Sequence, residues 1–247
     1  MYAALMQQDD PLEARFAELA ADWRSQTGTR ASAQARFDAM KAAVLRMRAT
    51  GQWVSGPGDL LSILGRDRDE LFHSRMLAWL LNPVGRHGFG DRFLRAFLDA
   101  AWPGEELVDG GVVEIELERS RAGTSSVTSE LLESRADLII RFESVLIVVE
   151  NKLDAGEQER QCERLYWSWA GEPTEVRWLF LTPNGRAPVT TITTQAREAW
   201  RSMSYRQVRR ALRSVLEASP SPGASPLELG RSSAFQYLGT LMGQGRR

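Results

Sequence analysis

The stretch ADLIIRFESVLIVVENKL, residues 136–153, decides the fold of this 247-residue chain. Apolar residues fill it on both sides of Glu143 and Ser144, and this pattern predicts two strands with a tight reversal at that pair. A turn centred there places Ile140 opposite Ile147, because the numbers of residues paired across a hairpin add up to a constant. The sequence therefore predicts a β-hairpin of defined register.

The predicted register brings two acidic residues together near the open end of the hairpin. Asp137 faces Glu150, with Cβ atoms about 4.5–5.5 Å apart and both side chains on one face of the sheet. Two like charges at that distance repel each other unless a cation neutralises them, and Mg²⁺ or Mn²⁺ suits carboxylate oxygens. Lys152 follows Glu150 by two residues and shares its face, whereas Asn151 points away. The pattern indicates a divalent-metal site with an amine placed to help a nucleophile.

A purely structural role for these three charges is the alternative. Lys152 would then link the two acids as a cross-strand salt bridge at a sheet edge. Against this, the strand VLIVV is apolar on both faces, and charges at the end of a buried strand are costly unless they are paired or functional. Among the 31 basic residues only Lys41 and Lys152 are lysines, so a lysine here departs from a composition based on arginine.

The composition limits which classes of protein and site fit. Apolar residues make up 43% and charged residues 26% of the chain, as in an ordinary globular protein. One cysteine and two histidines are too few for a zinc finger or a multi-histidine site, so a metal site must be rich in oxygen ligands. The formal charge of −1 requires any nucleic-acid contact to be local. Without a long apolar run or a signal-peptide pattern, we expect a cytoplasmic protein with no membrane partner.

Helices are predicted around this hairpin. The predicted elements are, in chain order, two amphipathic helices in 10–50, one buried helix in 60–83, a short helix in 91–102, a strand in 111–120, the two hairpin strands, a helix in 157–170, a strand in 176–182, a helix in 204–218, a flexible linker in 219–226 and a last helix in 227–242. They predict an N-terminal helical extension packed on the core (1–58), the core (59–218), and a linker with a C-terminal helix (219–247).

The pattern ADLII, a short gap and VVENK resembles the D…ExK core of the PD-(D/E)xK nuclease superfamily. Asp137, Glu150 and Lys152 match its three named positions, and Ala136 replaces the proline. DELFHSRMLAWLLNP and the following HGFGDRFL are similar to bacterial members with a helix carrying glutamate and histidine before the sheet. The resemblance covers roughly residues 60–216. It implies an α/β, restriction-endonuclease-like αβββαβ core with a central mixed sheet flanked by helices, plus extra N- and C-terminal helices.

This resemblance implies a metal-dependent phosphodiester hydrolase, endonuclease-like and acting on DNA, in restriction, repair or defence against foreign DNA. Asp137 and Glu150 would bind Mg²⁺ or Mn²⁺, and Lys152 would assist the attacking water. Glu70 matches the acidic residue of the first core helix, which helps hold the metal or its water. The alternative is a catalytically silent or partner-dependent module that binds nucleic acid or protein on the same fold. A homodimer is left open, since many two-strand cuts need two active sites.

Four further residues are candidates for substrate contact. His73 lies one turn after Glu70, where it faces the cleft or is a buried structural histidine. Gln158 and Gln161 share one face of the next helix, where they reach phosphates or are plain surface residues. Many relatives carry a tyrosine four residues after this glutamine, and here Tyr166 comes five residues after Gln161. Glu70 also has a competing structural role, because Asp67 and Glu70 have the spacing of a helix capping box.

Overall fold

A computed structural model of the chain describes residues 11–27, 30–50, 56–107, 113–124, 131–218 and 228–243. The chain forms two compact units, residues 1–56 and 57–247. The first unit contains α1 (Pro11–Thr27) and α2 (Arg30–Ala49). Its packing against the core stays a prediction, and the predicted linker at 219–226 lies outside the described residues. Within the described ranges, no helix combines the length and the apolar character needed to cross a bilayer.

The second unit is a mixed five-stranded sheet flanked by helices. Its elements are α3 (Leu60–Ile63), α4 (Glu70–Leu81), α5 (Arg92–Ala101), β1 (Glu114–Thr124), β2 (Leu131–Arg141), β3 (Val145–Asn151), α6 (Gln161–Trp169), β4 (Glu175–Thr182), α7 (Thr194–Ala199), β5 (Trp200–Ser204), α8 (Tyr205–Ala218) and α9 (Glu228–Gly243). The strands lie in the order β1-β2-β3-β4-β5. The first three are antiparallel and the last three parallel. This confirms the predicted restriction-endonuclease-like αβββαβ core.

The hairpin of β2 and β3 has the register that the sequence predicts. Ile140 pairs with Ile147, and the ladder continues to Leu138 opposite Val149. The amide of Phe142 donates to the carbonyl of Val145 at 2.8 Å and closes the reversal. The next residues outward in this register are the predicted metal ligands Asp137 and Glu150. They face each other because the position of the turn sets which residues pair across the two strands.

Both faces of β3 are covered by apolar side chains. On one face Ile147 and Val149 pack in the core formed with α4, α5, α8 and α9. On the other, Leu146 and Val148 pack against α6 and the tryptophans of β4 and β5. All seven residues of β3 are buried. A strand sandwiched in this way reads as a continuous apolar run, and any charge at its end enters a region of low polarity.

Several element boundaries differ from the sequence prediction. The single helix expected in 60–83 is two, because the chain turns at Gly65 with a φ of +63° and α4 begins only at Glu70. The helix expected from residue 157 begins at Gln161, after Arg160 adopts a left-handed φ of +53°. The sequence reasoning missed α7 and β5. β5 is a five-residue edge strand held by parallel pairing with β4, so its own sequence gives little signal.

A buried acid on α6 holds the loop between β4 and α7. Glu163 Oε2 accepts from the amides of Ile192 at 2.7 Å and Thr193 at 3.2 Å. Its Oε1 accepts from the Thr193 hydroxyl and from Trp167 Nε1, both at 2.8 Å. Burial opposes the charge, but these donors outweigh it and lower the pKa of Glu163 below its usual 4.5. The carboxylate therefore stabilises the fold as an anion.

We expect Glu163→Gln to lower the free energy of unfolding by about 1–3 kcal/mol. Both carboxylate oxygens accept hydrogen bonds, and the NH2 group that replaces one of them is a donor and cannot accept. A carboxylate with a lowered folded pKa stabilises the protein fully above its unfolded value near 4.5 and loses this contribution as pH falls through the folded value. Urea unfolding at pH 7 and near pH 3 measures both effects. Exposed Glu159 on the preceding turn is the matched control, and an equal loss in Glu159→Gln would contradict the assignment.

Candidate active site

Asp137 and Lys152 line an open cleft of about 620 Å³ beside the ends of β2 and β3, and Glu150 is buried next to Lys152. The residues that line it come from α4, β1, β2, the segment after β3, and α6. They include Glu70, Ser74, Asp137, Lys152, Gln161 and Arg164. The cleft is therefore formed where one helix from each side of the sheet reaches the end of the hairpin.

The two acids are held by different contacts. Asp137 Oδ2 accepts from the Asn151 amide at 2.8 Å, so its side chain reaches across to β3. Glu150 is fully buried, and its Oε1 accepts from Lys152 Nζ at 3.0 Å and Gln161 Nε2 at 2.5 Å. Its Oε2 is buried with no hydrogen-bond partner among the described residues. An unpartnered buried carboxylate oxygen is costly, which indicates that this oxygen is available for a ligand.

Burial and mutual repulsion disfavour negative charge on this pair. Burial is the main cause that raises the pKa of Glu150 to about 8, and Asp137 adds to it. Burial likewise raises the pKa of Asp137, against the hydrogen bond from Asn151. For Lys152, burial lowers the pKa, but Glu150 and the other acids outweigh it and raise the value. Lys152 is therefore protonated. A second cation near Asp137 and Glu150 would lower their pKa values and favour their ionised forms.

Glu70, the first residue of α4, contacts the segment that follows β3. Its Oε1 accepts from the Leu153 amide at 2.8 Å, and its Oε2 lies 3.4 Å from Lys152 Nζ. The alternative capping role is wrong, because Asp69 is the N-cap of α4 and accepts from the amides of the first turn. The Glu70 carboxylate therefore spans 82 residues of sequence to pair with the lysine.

The donor set fits a hard divalent cation held by few protein ligands. Among the described residues, no group of three or more histidine, cysteine or acidic side chains is arranged to hold a metal. Two carboxylates remain, Asp137 and Glu150, and Mg²⁺ is commonly bound by one or two carboxylates with waters and substrate phosphates. The unpartnered Oε2 of Glu150 supplies the observation that favours such a ligand. Glu70, with both oxygens engaged, stands beside this pair.

The candidate substrate contacts divide into two groups. Gln158 and Gln161 line the cleft, and Gln161 also binds Glu150. His73 is a fully buried residue of α4, where Nδ1 bonds with the Tyr237 hydroxyl and Nε2 with the Asp67 carbonyl. Tyr166 packs its ring 4.8 Å from that of Trp178, between α6 and the sheet. The structure brings the two glutamines to the cleft, buries the histidine and packs the half-buried tyrosine against the core.

Sequence reasoning missed four residues around this site. Asn151, Ser74 and Tyr205 form buried hydrogen bonds behind the acids, and Arg164 lines the cleft. For Arg164 a signal existed, because it follows Gln161 by three residues and shares its helix face. For Asn151 the only signal was an amide next to the acid in an apolar strand, since its partners lie on distant helices.

Comparison with known protein families gave a match over most of the chain. A family model for the PD-(D/E)XK nuclease superfamily matches residues 58–228, which include the hairpin, α4 and α6. No curated protein and no solved structure gave a significant match. Because the matched segment covers more than half of the chain, the protein belongs to the PD-(D/E)XK nuclease superfamily.

Proposed function

We propose that this protein is a metal-dependent phosphodiester hydrolase that cuts DNA, with Asp137, Glu150 and Lys152 as catalytic residues. Its superfamily is one of nuclease-like phosphodiesterases. One observation carries the proposal: Glu150 is fully buried, with one oxygen lacking a partner in the described residues and the other bound to Lys152. A protein without a use for this charge would be more stable with an apolar residue there.

Asp137 and Glu150 are the residues that would hold Mg²⁺, with Mn²⁺ as the substitute. A divalent ion bound there supplies positive charge that lowers the pKa of water and neutralises phosphoryl oxygens. Gln161 holds Glu150 in place by donating to its Oε1. We assign Glu70 a supporting role, because its carboxylate is 3.4 Å from the lysine amine and keeps that amine charged and oriented.

Lys152 serves as a fixed positive charge at the reacting phosphate. Its amine lies between Glu150 and Glu70, and its side chain is 10% exposed, so it faces the cleft while most of its stem is buried. Phosphoryl transfer builds negative charge on the phosphate oxygens, and a preorganised cation stabilises that charge more than water does. Gln158 and Arg164 line the same cleft and would contact neighbouring phosphates.

We further propose a cytoplasmic role in restriction, repair or defence against foreign DNA. A homodimer would supply the second active site that a two-strand cut requires. The whole chain has a formal charge of only −1, so we expect the few basic residues at the cleft to recognise the substrate through a few of its phosphates.

The direct test is to incubate the pure protein with supercoiled plasmid, linear duplex, single-stranded DNA and RNA in the presence of Mg²⁺, Mn²⁺ or EDTA. We expect cleavage of DNA with either cation and none with EDTA, and cleavage confined to RNA would correct the substrate. Binding of DNA without cleavage under any cation, unchanged in Asp137→Ala, would instead select a silent binding module. Size-exclusion chromatography with light scattering, with and without DNA, tests the homodimer.

A further inference from the structure

Asn151 occupies an unusual position in the site. It is the last residue of β3, between Glu150 and Lys152, and its side chain is on the opposite face of the strand, 1% exposed. Its Nδ2 donates to the Glu70 carbonyl at 3.0 Å and to Ser74 Oγ at 3.1 Å. Its Oδ1 accepts from the Tyr205 hydroxyl at 2.8 Å. One carboxamide thus joins β3, α4 and α8.

The surroundings make this amide a costly choice unless it has a role. The neighbouring side chains on that face of the sheet, including Val149 and Leu181, belong to the main apolar core. A leucine there could fill similar space, but apolar contacts are not directional and leave α4 free to slide along the sheet. Hydrogen bonds fix both distance and direction. The three bonds of Asn151 therefore set where the first turn of α4 lies relative to the end of β3.

The first turn of α4 carries Glu70, whose side chain reaches the cleft. Glu70 contacts the Leu153 amide at 2.8 Å and Lys152 Nζ at 3.4 Å. Both contacts depend on where the first turn of α4 lies relative to the end of β3. The second contact is already long, so a small shift of the helix would break it. Tyr205 lies 54 residues away from Asn151 on α8, with 2% of its surface exposed, and it orients the amide oxygen away from α4.

We propose that Asn151, Tyr205 and Ser74 form a buried positioning network that holds Glu70 against Lys152. Asn151 is a positioning residue, since it acts through α4 and touches no substrate. Tyr205 is the part of the network that selects the orientation of the amide, because only its hydroxyl pairs with Oδ1 among the described contacts. The proposal rests on the proposed function for its effect on rate, but the geometry itself is testable without catalysis.

The test compares Tyr205→Phe with Thr240→Val. Each variant loses one buried hydroxyl bond, from Tyr205 to Asn151 on β3 in the first and from Thr240 to Asp59 in the second. We expect Tyr205→Phe to lower kcat about 10-fold, in the range seen when groups that orient an active-site residue are removed. KM and the Kd for DNA in EDTA should stay near wild type. The Leu153 amide should exchange faster with solvent, as read by NMR, since its Glu70 acceptor is released.

In Thr240→Val we expect a fall in Tm with kcat and Leu153 exchange close to wild type. Equal effects in both variants would mean that general stability holds α4 in place, which overturns the role of Asn151. Unchanged Leu153 exchange in Tyr205→Phe would do the same. If the wild type cuts no substrate, the exchange comparison still decides the positioning claim, and the proposed function alone fails. Asn151→Leu removes all three bonds and serves as a check only where it remains folded.

Discussion

Replacing Lys152 with methionine is expected to reduce the rate of metal-dependent DNA cleavage by about 10²–10³-fold, the usual effect of removing one preorganised group that stabilises transition-state charge. Methionine keeps most of the unbranched stem and removes the amine, so the cleft keeps its shape. The loss should appear in the rate constant for cleavage under single-turnover conditions, while the affinity for DNA in EDTA changes little. A variant that cuts at the wild-type rate would remove Lys152 from the mechanism.

The same substitution should also destabilise the protein. The Lys152 amine donates to buried Glu150 at 3.0 Å, and removing the donor to a buried polar group costs about 1–3 kcal/mol. Adding Glu150→Gln to Lys152→Met should recover part of that loss in urea unfolding, because a neutral amide needs no cation beside it, without recovering cleavage. Recovery of cleavage in the double variant would contradict a catalytic role for either residue. Lys41 is the matched control, since Lys41→Met removes a lysine from α2.

Asp137→Asn is expected to separate metal binding from folding. Neutralising one of two facing acids should raise the metal-free free energy of unfolding at pH 9, where Glu150 is ionised, by up to about 1 kcal/mol, the scale of side-chain pairs across a sheet. Asparagine keeps an oxygen that can accept the hydrogen bond from the Asn151 backbone amide. Divalent-ion binding should weaken strongly, and cleavage should fall about 10²–10³-fold, since a metal contributes several kcal/mol to the transition state.

Mn²⁺ binding followed by electron paramagnetic resonance, together with thermal unfolding with and without Mn²⁺, measures this prediction. The wild type should gain stability on adding Mn²⁺, and Asp137→Asn should not. Glu118→Gln is the control, because Glu118 also lines the cleft but pairs with Arg135 at 3.0 Å. If Glu118→Gln loses ion binding as Asp137→Asn does, the ion responds to the overall charge of the cleft and the two-carboxylate site is wrong.

The sequence by itself determined the hairpin and three members of the site. Asp137, Glu150 and Lys152 lie within 16 residues, and the turn at Glu143 and Ser144 fixes their pairing by counting. Side-chain alternation then assigns them to one face, and the structure places the lysine amine 3.0 Å from Glu150. Such local geometry is set by backbone periodicity, which the sequence carries directly. The order of helices and strands followed from periodicity in the same way.

Only the tertiary structure decided what surrounds these three residues. The spacing of Glu70 and His73 on one helix suggested that both face the cleft, yet α4 docks so that Glu70 reaches Lys152 and His73 is buried against Tyr237. The partners of Asn151 come from helices that lie far away in sequence. Such contacts depend on how each helix rotates and slides when its apolar face packs on the sheet. Packing of that kind is collective and weakly directional, so no short stretch of sequence encodes it.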